Sequence, residues 1–171
     1  ANVFQQIVVP DGYIPQDIAT LNNYLIIACT SGRFYWLEPN EWVFTDDNAS
    51  GDNSGNTDSA LNYATCESLP DGLVAVQVLR GELYFFGQLT TEIWQTTGDS
   101  NLPFQKALGR DFYKGAIDKF AATLFDNTIA WIGQDWIVYR SDSVPLRISN
   151  HSVEQDIMRS SSYYLWTYTL R

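Results

Sequence analysis

The chain has 171 residues, enough for one domain with its own core. Apolar residues at 45% exclude a disordered tail, and aromatics at 15% favour strands over helices. Ten basic against twenty acidic residues leave a net charge of -10 with no cluster of Lys or Arg, so sequence-specific nucleic-acid binding is not expected. No apolar run approaches the roughly 20 residues of a membrane span, and no basic start precedes an apolar segment, so neither a membrane contact nor a signal peptide is expected.

Taken in chain order, the sequence contains three segments that can be laid over one another: LNNYLIIACTSGRFYWL from Leu21, LRGELYFFGQLTTEIWQ from Leu79 and LFDNTIAWIGQDWIVYR from Leu124. Each opens with Leu and a turn signal, Asn22-Asn23, Arg80-Gly81 or Asp126-Asn127. These residue types tolerate the positive φ that two-residue hairpin loops demand. A short apolar run, a second turn and a second run follow. The runs are too short for helices and suit strands.

Successive units lie roughly fifty residues apart, a period that belongs to propeller blades of about four antiparallel strands. The repeat favours a propeller over three unrelated hairpins in a sandwich. The predicted fold is therefore all-β, an incomplete propeller of about three blades over residues 1–60, 61–115 and 116–171. Gln5 to Val9, Leu73 to Val78 and Phe120 to Leu124 are expected to supply first strands. Trp42 to Phe44 and Leu146 to Ile148 are expected to close blades from the other side. Thr45 to Ser59, rich in acids and turn formers with no large apolar residue, reads as an exposed, flexible loop. Ser152 to Ser160 reads as a short helix capped by Ser152, with Val153 and Ile157 on one face. Beginning at Ala1 and ending at Arg171 directly after YYLWTYTL, the chain reads as a fragment with an exposed C-terminal edge.

Catalytic constellations are thin. The acidic loop places Asp46, Asn48, Ser50 and Gly51 at calcium-loop spacing, but Thr57 stands where a bidentate Glu is needed. His151 is the single histidine, without a nucleophile elbow or a second imidazole, and reads as a surface residue. Cys29 and Cys66 match no metal or redox spacing and read as buried thiols. There is no phosphate loop and no dinucleotide fingerprint, so no metal and no cofactor is expected. Glu82, Glu92, Asp99 and Asp111 supply carboxylates of the kind glycosidases pair, and Tyr84, Phe85, Phe86, Trp94, Trp131, Trp136 and Tyr139 supply aromatics for a sugar platform. At strand spacing such aromatics belong more often to a core between blades.

A longer set of residues carries a resemblance. Phe85-Phe86-Gly87, Thr91-Glu92-Ile93-Trp94, Thr97-Gly98-Asp99 and Pro103-Phe104 are followed by Trp131, Val138-Tyr139-Arg140, Arg147-Ile148-Ser149 and Val153-Glu154. In this order and spacing, the span from Val76 to Ile157 resembles the packaged-DNA stabilisation proteins of short-tailed bacteriophages, the tail hub or head-completion family. The resemblance implies a non-enzymatic virion protein with a propeller fold, assembled in the bacterial host cytoplasm. It implies portal, adaptor and tail proteins as partners, a role in closing the portal channel after genome packaging, and structural roles for the residues quoted. Within them, Glu92-Ile93-Trp94 is expected to form an inner hairpin strand that packs Trp94 between blades, with Gly98-Asp99 turning the chain out. Self-association follows as a second expectation, either a ring of copies about the tail axis or a dimer joining two three-bladed fragments into six blades. The alternative from another class is a carbohydrate-binding or degenerate glycosidase-like propeller.

Overall fold

The computed structural model describes residues 7–41, 44, 61–141 and 144–165. The acidic loop with its calcium reading, the segment at Trp42 and the last six residues lie outside the described residues. The described chain is all-β, built from three four-stranded antiparallel sheets and one short helix. Sheet 1 holds β1 (Pro15–Leu21), β2 (Tyr24–Cys29), β3 (Arg33–Leu37) and β4 (Tyr63–Thr65). Sheet 2 holds β5 (Leu73–Leu79), β6 (Glu82–Gly87), β7 (Thr91–Thr96) and β8 (Phe104–Lys106). Sheet 3 holds β9 (Ala122–Phe125), β10 (Thr128–Ile132), β11 (Val138–Ser141) and β12 (Leu146–Arg147), after which comes helix α1 (His151–Arg159). In every sheet the strands stand in chain order. The three sheets do not close into a ring, and no helix among the described residues is long and apolar enough to cross a membrane.

The three turn signals fold alike. Asn22 and Asn23 have φ of 50° and 67°, Arg80 and Gly81 52° and 80°, and Asp126 and Asn127 46° and 57°. Two consecutive left-handed residues give the turn whose twist matches a hairpin. Each turn therefore fixes the register between the first two strands: Leu21 opposes Tyr24, Leu79 opposes Glu82, and Phe125 opposes Thr128.

That constraint corrects the first blade. Its opening strand must run directly into Asn22, so it is Pro15–Leu21 rather than Gln5 to Val9. Asp11 and Gly12, both at positive φ, turn the chain before it, and Val9 packs with Ile27, Cys29 and Tyr35 on the face of sheet 1 turned away from sheet 2. The strand that pairs with β3 is Tyr63–Thr65, which follows the acidic loop in the chain. Phe44 packs edge-on against Tyr35. Phe120 belongs to a 3-10 turn, and β9 starts two residues later.

The helix is placed as the sequence indicates, but its cap is Asn150 rather than Ser152, with Asn150 Oδ1 accepting from Val153 N at 3.0 Å. Val153 is 43% exposed, and the buried residue of the helix is Glu154. The chain beyond the helix returns to sheet 3, where Leu165 N donates to Phe120 O and Tyr164 stacks on Phe120.

The core lies between the sheets. In β6, Leu83 and Phe85 face sheet 1, whereas Tyr84 and Phe86 face sheet 3, so the run LYFF is apolar throughout because both of its faces are covered. Phe34 of β3 stacks on Phe85 at 4.3 Å and meets Trp94 edge-on at 4.9 Å. On the other side Trp131 lies 5.4 Å from Phe86, parallel to Phe112 and against Tyr139.

Candidate functional site

β7 alternates between two environments. Thr91 and Ile93 face sheet 3, whereas Glu92 and Trp94 face sheet 1. Glu92 is thereby carried into the contact between sheets 1 and 2, where its side chain is 3% exposed. A carboxylate at such a depth needs partners. Ser68 N, in the linker between the two sheets, donates to Oε1 at 2.5 Å, and Trp94 Nε1 donates to Oε2 at 3.0 Å. Lys106 opposes Trp94 in the register of β7 and β8, so it shares this face, and its Nζ lies 3.3 Å from Glu92 Oε1.

Lys106 has two further partners. Its Nζ lies 2.9 Å from Asp111 Oδ2 and donates to Ser68 Oγ at 2.6 Å, and that hydroxyl donates to Asp111 Oδ2 at 2.6 Å. Burial pulls the Lys106 ammonium down, but the hydrogen bond to Asp111 and the charge of Glu92 outweigh it and hold its pKa above the usual lysine value. Asp111 Oδ1 is buried and meets no hydrogen-bond partner among the described residues. Beside the cluster, burial and then the nearby Glu92 push the Cys66 thiol well above its usual pKa, and Cys29 is raised by burial to about 11. Both cysteines are free and buried, and neither is a thiolate at neutral pH.

A second cluster fastens α1. Arg147 Nε donates to Glu154 Oε1 at 2.8 Å and Nη2 donates to Oε2 at 2.7 Å. Ser149 Oγ donates to Glu154 Oε1 at 2.6 Å while accepting from Val138 N at 3.0 Å. The Ser149 hydrogen bond, followed by Arg147, holds the Glu154 carboxyl below the usual range. In a third, Asp135 accepts from Lys114 Nζ at 2.7 Å and from Tyr139 Oη at 2.6 Å. On the outward face of sheet 1, the Arg33 guanidinium lies 4.5 Å from the ring centre of Tyr13 and 4.0 Å from that of Tyr63, and pairs with Asp11. This clamps the segment before β1 onto the sheet.

The residues carrying the resemblance fall into these frameworks. Phe85, Phe86, Trp94, Pro103, Phe104, Trp131 and Tyr139 are buried. Glu92 belongs to the first polar cluster and Arg147, Ser149 and Glu154 to the second. Gly87 is the one residue that leaves room for Asp71, whose Oδ2 would stand 2.3 Å from a Cβ there and accepts from Leu89 N and Thr90 N. Gly98, at φ 80°, and Asp99 form an exposed turn after β7, where Asp99 Oδ1 accepts from Asn101 N.

The carboxylates named for a paired-acid cleft are not arranged as one. Glu92 and Asp111 come together, but Lys106 and Ser68 fill the space between them. Glu82 is held by Arg110, and Asp99 lies on its turn. Of the platform aromatics only Trp136 is more than marginally exposed. His151 is exposed at the first turn of α1. Sequence reasoning missed Ser68, Asp71, Lys106 and Lys114. Ser68, Asp71 and Lys114 lie outside the strands and meet partners distant in the chain, while Lys106 reaches Glu92 through strand register and Asp111 across a short loop.

The comparison with curated proteins returned no match. A family model described as "Bacteriophage P22 Gp10, beta-propeller" matches residues 32–169, from the end of the first hairpin through all of sheets 2 and 3. The four-stranded meanders packed face to face agree with propeller blades. The chain belongs to the bacteriophage P22 Gp10-like β-propeller family of phage stabilisation proteins.

Proposed function

We propose that the protein is a tail hub of a short-tailed phage, closing the portal channel behind the packaged genome through contacts with the portal, its adaptor and tail proteins. The family match over residues 32–169 carries this reading. The electrostatics support a mechanical plug over a protein that tracks phosphates. Arg33, Lys106, Arg110, Lys114, Arg140 and Arg147 are each paired with a carboxylate of the chain itself, in a protein of net charge -10. The role is non-enzymatic: its polar clusters join sheets, linkers and helix, and their hydrogen bonds are spent on one another. Recurrence about the tail axis gives a ring of copies, with a two-copy ring as the smaller assembly.

The test uses DNA-filled, tailless heads that carry portal and adaptor. Purified protein is added and nuclease-accessible DNA is followed over time. The reading expects the protein to bind the heads and slow leakage. Heads that leak at the same rate with no protein bound overturn it.

A further inference from the structure

We propose that Lys106 and Asp111 condense into an intramolecular isopeptide bond, with Glu92 as the catalytic carboxyl. Lys106 Nζ already lies 2.9 Å from Asp111 Oδ2, and backbone pairing holds both residues in place. Lys106 is paired with Trp94, and the residue after Asp111, Phe112, bridges Thr91 of the same strand. The four residues between them form a bulge that leaves β7 and returns to it, so the two side chains are delivered to one point without a search. Their side chains are 27% and 26% exposed, and Glu92 beside them is 3% exposed.

The protons balance within the cluster. One proton passes from the Lys106 ammonium to Asp111, which makes an amine and a carboxylic acid without changing the number of bound protons. The Nζ–Cγ bond forms. Glu92, 3.3 Å from Nζ and oriented by Ser68 N and Trp94 Nε1, takes the second proton from nitrogen and returns it to the departing oxygen. The Cγ–Oδ2 bond breaks, and Oδ2 leaves as water with both protons. Ser68 Oγ, which donates to Oδ2, supports the oxygen that leaves. Nothing is oxidised or reduced, and Glu92 ends as it began. Asp111 Oδ1, buried without a partner among the described residues, becomes the oxygen of a neutral amide, for which burial is less costly than for a carboxylate. The product removes one positive and one negative charge together, so the net charge of -10 is unchanged.

Intact-mass measurement of the full chain under denaturing conditions tests this. The expected mass is that of the sequence less one water. Trypsin should then release a branched species in which residues 81–110, uncut at Lys106, are joined to residues 111–114. Lys106→Arg keeps the ion pair but not the amine and should restore the full mass. Glu92→Gln should slow bond formation by roughly 100-fold or more, with a native near-ultraviolet circular dichroism spectrum showing that it folds. A natively folded wild-type chain that keeps its full mass overturns the proposal. So does a water loss carried by an unbranched peptide, which marks a succinimide instead. Glu92→Gln that links at the wild-type rate overturns the role given to Glu92.

Discussion

Asp17 shows how much one side chain can do between sheets. It lies on β1, and its Oδ2 accepts from Val76 N of β5 at 2.9 Å, joining the first strands of two neighbouring sheets. Burial raises its pKa above 3.8, against the lowering effect of the Val76 and Ile18 amides. A folded pKa above the unfolded one means that this contribution to stability is full below about pH 3.8 and is lost as pH rises through the folded value. At neutral pH the charge is therefore a cost and the hydrogen bond a gain, and two substitutions separate them. Asp17→Asn keeps an acceptor for Val76 N, gives up only the solvent-exposed bond from Ile18 N and removes the charge, so its stability at pH 7 should equal or exceed wild type. Asp17→Ala leaves the amide unpaired and should cost about 1–3 kcal/mol. Urea unfolding at pH 7 and pH 4 reads both, and an Asn variant as unstable as the Ala variant contradicts the assignment. The aromatic runs were legible in the sequence because apolar content alone marks a strand covered on both faces. The Glu92 cluster was not, since the partnership of Glu92, Lys106, Asp111 and Ser68 depends on register and on a bulge that no local pattern encodes.

At the scale of elements, the hairpin turns were the clearest sequence signal, because left-handed backbone is chemically selective. Asn23, at φ 67°, illustrates the cost of ignoring it. Asn23→Gly should be nearly neutral, whereas Asn23→Val forces a β-branched residue into that region and should cost about 1–3 kcal/mol. Thermal unfolding of the two variants distinguishes this from a simple loss of side-chain contacts, which would make Gly the worse substitution. The cap of α1 was misplaced for a tertiary reason. Asn150 and Ser152 are both capable caps, but starting the helix at His151 turns Glu154 onto Arg147 and Ser149. Since Glu154 is held below 4.5, its contribution is present above that pH and lost as pH falls through the lowered value. Glu154→Gln should lower the Tm at pH 7, and the gap to wild type should narrow on acidification to pH 3. A constant gap would place the effect in packing.

For the whole molecule, the two contacts between sheets are unequal. Sheet 2 is covered on both faces, while sheets 1 and 3 each meet it with one. The contact with sheet 1 has stacked Phe34 and Phe85 together with the Glu92 cluster. The contact with sheet 3 centres on Trp131, whose Nε1 is buried with no partner among the described residues, as is Trp36 Nε1 in the contact with sheet 1. The strands of sheet 3 are also shorter, from two to five residues. Short ladders leave fewer backbone hydrogen bonds to hold a unit together. Native-state hydrogen exchange should therefore find sheet 3 opening first, sheet 1 next and sheet 2 last. Phe34→Ala sharpens the test. Emptying that site should cost about 3–5 kcal/mol and speed exchange in sheet 1, leaving the order of sheets 2 and 3 as before. If the amides of sheets 1 and 3 instead lose protection together, the three sheets open as one unit, and the difference between their contacts has no bearing on how the protein yields.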